Sequence, residues 1–345
     1  MLPKPSFIST FFLTFAHIIY RHSMSFKIDA VITWVDGNDP QHIAKREQYG
    51  DKRILNRDDV AGSTRFTSVG EILYCVASLN KFAPWLNKIY IVTDNQDPMV
   101  YDFIQKHFPE GSIPMEIVDH KVIFEGYEQY LPTFNSISIE SMTWRIPGLA
   151  EHYLEFNDDL ILAAPTTPED FFPREGEVVC YGKPYRSLVV TLSQLMRRHR
   201  DGSKQVSFKE TMLNAAKLLG YKRSFIKIYH TPKALLRSTY EKFFTEHPEL
   251  LIKNISHRFR HHSQYNAEEL QYLILRDEGR VRMYNAYNLL YLKPSQEIEY
   301  IEQKLALFDS KPECKFGCFN SLDQMTEEGR TRTIEWITKR IGLEQ

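Results

Sequence analysis

Ile28-Asp29-Ala30-Val31-Ile32-Thr33-Trp34-Val35 runs straight into Asp36-Gly37-Asn38-Asp39-Pro40. An apolar, β-branched run closed by Gly, Asn, Asp and Pro reads as a buried strand ending in a turn. The pattern recurs. Lys88-Ile89-Tyr90-Ile91-Val92-Thr93 closes in Asp94-Asn95-Gln96-Asp97-Pro98, residues 115–118 lead into Asp119-His120, and Tyr153-Leu154-Glu155-Phe156 leads into Asn157-Asp158-Asp159. Between these strands, residues 70–82 place Ile72, Leu73, Val76 and Leu79 on one helical face, and residues 136–146 read as another helix. Strands alternating with helices predict a doubly wound α/β sheet, with the ligand crevice beyond the carboxyl ends of the strands. Three of those ends are Asx-rich, so the crevice is expected to be lined with acids and amides.

From about residue 205 the spacing turns helical, at 209–219, 232–244 and 267–275, with a strand only around 225–229. The expected organisation is an extension over 1–27, an α/β part over 28–204, a helical insertion carrying basic residues over 205–295, and a segment over 296–345 that returns to the core. A last amphipathic helix at 326–341 sets Ile334, Ile337 and Ile341 opposite Arg330, Arg332, Lys339 and Arg340, and docking on the core is its expected role.

Charge is unevenly spread. Residues 183–262 hold 17 Lys/Arg against 5 Asp/Glu, although the whole chain of 345 residues has a formal net charge of −1. A basic middle beside an acidic framework suits an anionic ligand. Four cysteines are too few for a disulfide scaffold, and the Cys314/Cys318 pair lacks a second pair to complete a zinc site, so all four are expected as reduced thiols. Residues 7–20 are apolar but too short to span a bilayer and lack a small-residue cleavage site, which makes Met24 a candidate natural start. A shallow membrane-surface anchor is the alternative for that stretch. No GxGxxG or Walker sequence is present, which excludes a P-loop kinase.

Asn157-Asp158-Asp159 lies between apolar runs, where unpaired carboxylates are costly. Oxygen ligands grouped in this way suit a hard cation, Mg²⁺ or Mn²⁺, shared with a substrate phosphate. An Asx turn is the plain structural alternative. Imidazole is the side chain best matched to taking a hydroxyl proton near neutral pH, and His230 sits in a loop between the run 225–229 and Pro232.

Four ordered blocks carry a resemblance. They are residues 28–37; residues 65–159, including Leu131-Pro132-Thr133-Phe134-Asn135-Ser136 and Arg145-Ile146-Pro147-Gly148-Leu149; His230-Thr231-Pro232 through His257-Arg258-Phe259-Arg260; and Lys315-Phe316-Gly317-Cys318-Phe319-Asn320. In this order they resemble the conserved regions of the Stealth family of bacterial capsular polysaccharide phosphotransferases, related to the catalytic subunit of N-acetylglucosamine-1-phosphotransferase. The resemblance implies a nucleotide-sugar-transferase-like sheet. It also implies transfer of a hexose-1-phosphate from a nucleotide-sugar donor, such as a UDP-HexNAc, to a glycan hydroxyl with a divalent cation. On that basis Asp158, Asp159 and Asn320 are expected to hold metal, and His230, Asp158 and Arg260 to be catalytic. Asp36, Asp39, Arg65, Asn95, Asn135, Arg258 and Asn320 are expected to bind substrate or phosphate, and Glu71 to make a structural ion pair. Trp34 is expected in the core rather than against a base.

Some positions depart from the family pattern. Ser321 stands where an Asp is usual, so a metal role there is lost or passes to Asp323, while Trp144, Leu73 and Ala77 replace a frequent His and two arginines. The absence of large spacer modules points to the bacterial branch. The expected setting is cytoplasmic, peripheral at the inner membrane or its capsule-assembly machinery, with no nucleic acid partner. Two other classes compete: a metal-dependent glycosyltransferase moving the sugar without its phosphate, and a catalytically silent glycan- or nucleotide-binding protein.

Overall fold

The computed structural model describes residues 26–61, 66–196, 206–285 and 288–343. Arg65, the stretch 7–20 and Met24 fall outside these. Four parallel strands, β1 (Ile28–Thr33), β2 (Lys88–Thr93), β3 (Met115–Asp119) and β4 (His152–Asn157), form the main sheet in the order β3-β2-β1-β4. β1 is buried along Ile28–Ile32, as expected of a central parallel strand covered on both faces. The helices Glu71–Phe82 and Val100–His107 make the crossovers beside it. Register brings the carboxyl ends level: Thr33 lies opposite both Val92 and Asn157, and Thr93 lies opposite Asp119. This is the α/β sheet with a carboxyl-end crevice that the alternation of elements predicts.

β4 does not stop at the sheet edge. It turns through Asp158-Asp159 into β5 (Leu160–Leu162), which joins a second sheet, β10-β11-β5, with β10 (Leu289–Leu292) and β11 (Phe316–Phe319). The acidic turn is therefore the joint between two sheets. A third sheet, β7-β6-β9, combines β6 (Val178–Arg186), β7 (Ser224–Ile228) and β9 (Val281–Tyr284).

The segment 205–295 departs from the helical insertion expected of it. Besides its helices it supplies β7, β9, β10 and β8 (Lys233–Leu236), and β8 closes the main sheet antiparallel to β4, pairing Lys233 with Glu155. The helix expected over 232–244 begins only at Arg237. Four-residue strands are too short to show a two-residue period, and a fully buried run such as Lys233-Ala234-Leu235-Leu236 reads equally well as a helix start. The segment is thus woven into the sheets.

Residues 136–146 are likewise broken, into the helix Ser136–Glu140 and a 3-10 turn Thr143–Arg145. The final helix, Glu327–Ile341, docks on the core as expected, burying Trp336, Ile337 and Ile341, with Trp336 Nε1 donating to Asp309 Oδ1 at 2.8 Å. One hydrophobic cluster runs from Ile28 to Leu343. Trp34 belongs to it, only 8% exposed, and donates to Ser68 Oγ. The cysteines are all unpaired and buried.

Candidate active site

The crevice floor begins at β1. Gly37 N donates to Phe66 O at 2.6 Å, and a Cβ on Gly37 would stand 2.2 Å from Phe66 Cβ, so only glycine permits this approach. Phe66 packs with Phe134 and Phe259 in a small second core that ties the loop after β1 to the His257–Arg260 segment. Asp36 Oδ1 accepts from Asn38 N, and its backbone exchanges two hydrogen bonds with the Gln96 side chain. Asp39 caps the helix Pro40–Tyr49, accepting from Gln41 N and His42 N, and those bonds lower its pKa. Asn95 is exposed at the end of β2 in the left-handed region, φ 54°.

The same rim holds residues that the sequence spacing did not single out. Lys45 Nζ pairs with Asp94 Oδ2 at 2.8 Å, close to His42 and His120. Burial, more than any neighbouring charge, pushes both imidazoles down to a pKa of about 4, so they are neutral at pH 7. Neither nitrogen of His120 has a hydrogen-bond partner. No local signal marks them, because 78 residues separate the two histidines and only the parallel register of β1–β3 joins them.

The acidic turn is the electrostatic centre of the site. Asp159 Oδ2 accepts from Asn320 Nδ2 at 3.3 Å and from Cys318 Sγ at 3.6 Å, while Phe319 N donates to Asp159 O at 3.0 Å. Asp159 Oδ1 is buried with no partner. Burial, then the charges of Asp159 and Glu71, raise the Asp158 carboxyl well above the usual range. Burial raises Glu71 too, with Asp323 and Asp159 adding to it, and burial raises Asp323. The expected ion pair of Glu71 is absent among the described residues; its Oε2 accepts from Val69 N. An orphaned carboxylate oxygen and mutually repelling acids are what a divalent cation would relieve.

Among the described residues, no three His, Cys, Asp or Glu side chains converge closely enough to cage a metal unaided. An ion held here would need substrate phosphate or water to complete its shell.

His230 reaches this centre through the second sheet. Its ring stacks on Tyr291, with centroids 5.4 Å apart and planes 9° apart, and against Phe208 at 6.1 Å. Tyr291 lies opposite Cys318 across β10–β11, and Cys318 touches Asp159. Desolvation and then Lys233 lower the imidazole pKa, against a raising effect of Asp159.

Arg260 stands further back. Its Nη2 donates to Ser136 Oγ at 2.7 Å and its charge faces Glu140, which also feels Glu268 and Lys233. Arg258 is committed to the fold, donating to Gln129 O and Leu131 O and lying 4.8 Å over the Tyr49 ring. Asn135 is fully buried, with Nδ2 given to His257 O and Gln264 Oε1, so its amide ties loops together within the protein. Asp159 and Asn320 thus touch beside Asp158, His230 lies within electrostatic reach of Asp159, Arg260 is linked to His230 only through the buried charges of Glu140 and Lys233, and Asp39, Asn135 and Arg258 have structural partners.

Known proteins resemble this chain. The family model described as Stealth protein CR1, conserved region 1, matches residues 26–53, and Stealth protein CR2, conserved region 2, matches residues 65–179. Receptor polysaccharide phosphotransferase WefC of Streptococcus oralis is 32% identical over 272 residues, covering 71% of this chain and 77% of that protein. An exopolysaccharide phosphotransferase of Streptomyces coelicolor is 33% identical over 258 residues, covering 75% of this chain and 40% of that protein. The chain therefore spans about two fifths of the length of that relative. Among solved structures, the galactosyltransferase LgtC in complex with donor and acceptor sugar analogs aligns over 92% of this chain and 96% of that one, at TM-score 0.47 and 10% identity.

Proposed function

The chain belongs to the Stealth family, and from that membership and the site geometry we propose that it transfers a sugar-1-phosphate from a nucleotide-sugar donor to a glycan hydroxyl, building a phosphodiester-linked surface polysaccharide. The observation that supports this reading is the acidic turn at the carboxyl end of β4, where Asp159 touches Asn320 and Cys318 beside Asp158 and acts through its charge on His230.

In the proposed reaction the acceptor oxygen attacks the sugar-linked phosphorus of the donor. The bond from that phosphorus to the bridging oxygen breaks, and a nucleoside monophosphate departs with the electron pair. His230, whose protonated form is disfavoured by desolvation and then by Lys233, takes the hydroxyl proton at whichever ring nitrogen faces the acceptor. Asp158 and Asp159 would hold Mg²⁺ or Mn²⁺, with Asn320 contributing its Oδ1, and the bound ion would neutralise charge on the diphosphate. Asn320 fixes the Asp159 carboxylate. The nucleotide would lie near the Asp94–Lys45 pair, where the end of β2 meets the helix Pro40–Tyr49.

Peripheral contact with a membrane is part of the proposal. No helix among the described residues is long and apolar enough to cross one. Leu188, Leu192 and Met196 are nonetheless 66%, 49% and 81% exposed at four-residue spacing along the helix Ser187–Met196, a stripe suited to the interfacial layer. Flotation with anionic vesicles, lost in a Leu188→Ser/Met196→Ser variant, tests it.

The transfer itself is tested with donor labelled at the sugar-linked phosphate. Label entering the glycan with release of a nucleoside monophosphate supports the reading. Label leaving with a nucleoside diphosphate would mean that the sugar moves alone.

A further inference from the structure

Beside His230 a cavity of about 720 Å³ opens, within the size range of small-molecule sites. Lys183, Lys209, Lys227 and Lys293 line it. Lys183 and Lys227 lie directly opposite each other on β6 and β7, and the Tyr185 ring has Lys209 Nζ at 5.4 Å and Lys227 Nζ at 6.0 Å. Burial and the charges of Lys209 and Lys183 lower the pKa of Lys227, so the group is under like-charge repulsion. Among the described residues no Asp or Glu lines the cavity, and none of the four ammonium groups forms an ion pair with a described carboxylate. Lys183, Lys209 and Lys293 are exposed and Lys227 is half-buried, so the cavity presents solvated positive charge that an anion can meet.

Position says which anion. His230 and Tyr291 form one wall of this cavity. A general base must reach the acceptor hydroxyl, so space that shares His230 lies on the acceptor side of the reacting phosphorus. The nucleotide belongs instead to the strand-end crevice, beyond the acidic turn.

We infer that the cavity lined by Lys183, Lys209, Lys227 and Lys293 is an acceptor subsite that holds a phosphate already carried by the glycan, so that the enzyme prefers an anionic acceptor to a neutral one. This rests on the function proposed above. The aromatic faces of Tyr185 and Tyr291 supply stacking surface for the sugar next to that phosphate. Two sources present the same chemistry: a phosphodiester within a growing chain, or a diphosphate joining a glycan to a lipid.

Equilibrium titration without turnover tests the inference, using three probes on the intact chain. They are a disaccharide joined by a phosphodiester, the same sugar on a short-chain lipid diphosphate, and the neutral disaccharide. At least one anionic probe is expected to bind about tenfold or more tightly than the neutral one, the equivalent of one charge-assisted hydrogen bond. That preference is expected to shrink with added salt. Lys183→Gln/Lys209→Gln is expected to remove it and Lys183→Arg/Lys209→Arg to keep it, with thermal melting unchanged in both. The tighter of the two anionic probes identifies the source. Equal affinity for the neutral probe overturns the subsite, as does a Gln variant that weakens nucleotide-sugar binding while sparing the acceptor probes. Because no transfer is needed, the subsite stands or falls separately from the labelling experiment.

Discussion

Lys233 brackets His230: its ammonium donates to the carbonyl oxygens of both flanking residues, Tyr229 at 2.7 Å and Thr231. The same lysine sits opposite Glu155 on β4 and feels Glu268, so the loop that carries the proposed base is pinned to the main sheet by a buried cation. Lys233 is thereby a positioning residue, acting on His230 by geometry and by charge.

Lys233→Met separates those two effects. Loss of the ammonium removes a charge that lowers the His230 pKa, so the acid limb of the kcat/KM profile is expected to move to higher pH. kcat is expected to fall as the loop loosens. An acid limb that stays in place would show that His230 is not the group being titrated.

His230→Ala is expected to reduce transfer by about 10²–10⁴-fold, the range for a lost general base, while donor binding is retained. In the parent protein the acid limb is expected below the ordinary histidine value of 6.5, because desolvation and Lys233 both disfavour the imidazolium. Rate measurements between pH 5 and 8 read both outcomes.

Cation binding has a signature independent of turnover. Asp158, Glu71 and Asp323 all have raised carboxyl pKa values. Their contribution to stability is full below the unfolded values of 3.8 to 4.5 and is lost as pH rises through the higher folded values. Mg²⁺ or Mn²⁺ opposes that loss where the acids are ionised. At 100 times its dissociation constant the ion is expected to add about 2.7 kcal/mol at neutral pH, and less on acidification. Asp158→Asn and Asp159→Asn should lose most of that gain in thermal melts. Chelation should stop transfer by the parent protein, and an unchanged Mg²⁺ dependence in Asp158→Ala would contradict the assignment.

Gly37→Ala probes the crevice floor. The added methyl would meet Phe66 Cβ at 2.2 Å, so the loop after β1 must shift. Overpacking of this kind is expected to cost about 1–3 kcal/mol in urea denaturation and to raise the donor KM. The effect on KM is the more specific readout, because the loop forms the crevice rim.

Much of the first half was legible from pattern alone. β1, β2 and β4 announced themselves through apolar runs closed by Asx turns, and the helix Glu71–Phe82 through its 3.6-residue spacing. The strands β8, β9 and β10 did not, since four residues carry too little periodicity to separate a strand from a buried turn of helix. Among candidate site residues, Asp158 and Asp159 were named from their place between apolar runs and His230 and Asn320 chiefly from motif order; Asp159 and Asn320 touch, and Asp159 acts on His230 through its charge. Lys233 and Tyr291, which hold and cover His230, carried no signal, because one is a single lysine in an apolar run and the other a lone tyrosine in a short strand.

What the sequence determined by itself is the local chemistry: which strands end in acids, which loop offers an imidazole, and that the middle of the chain is basic. Those are properties of neighbouring residues, fixed by propensity and turn geometry. Tertiary structure alone decided that Asp159 touches Asn320, 161 positions further on, that its charge reaches His230, and that four lysines line a cavity beside that histidine. Sheet register between β5, β11 and β10 is a long-range pairing, set by how distant buried faces fit together, and no span of adjacent residues encodes it.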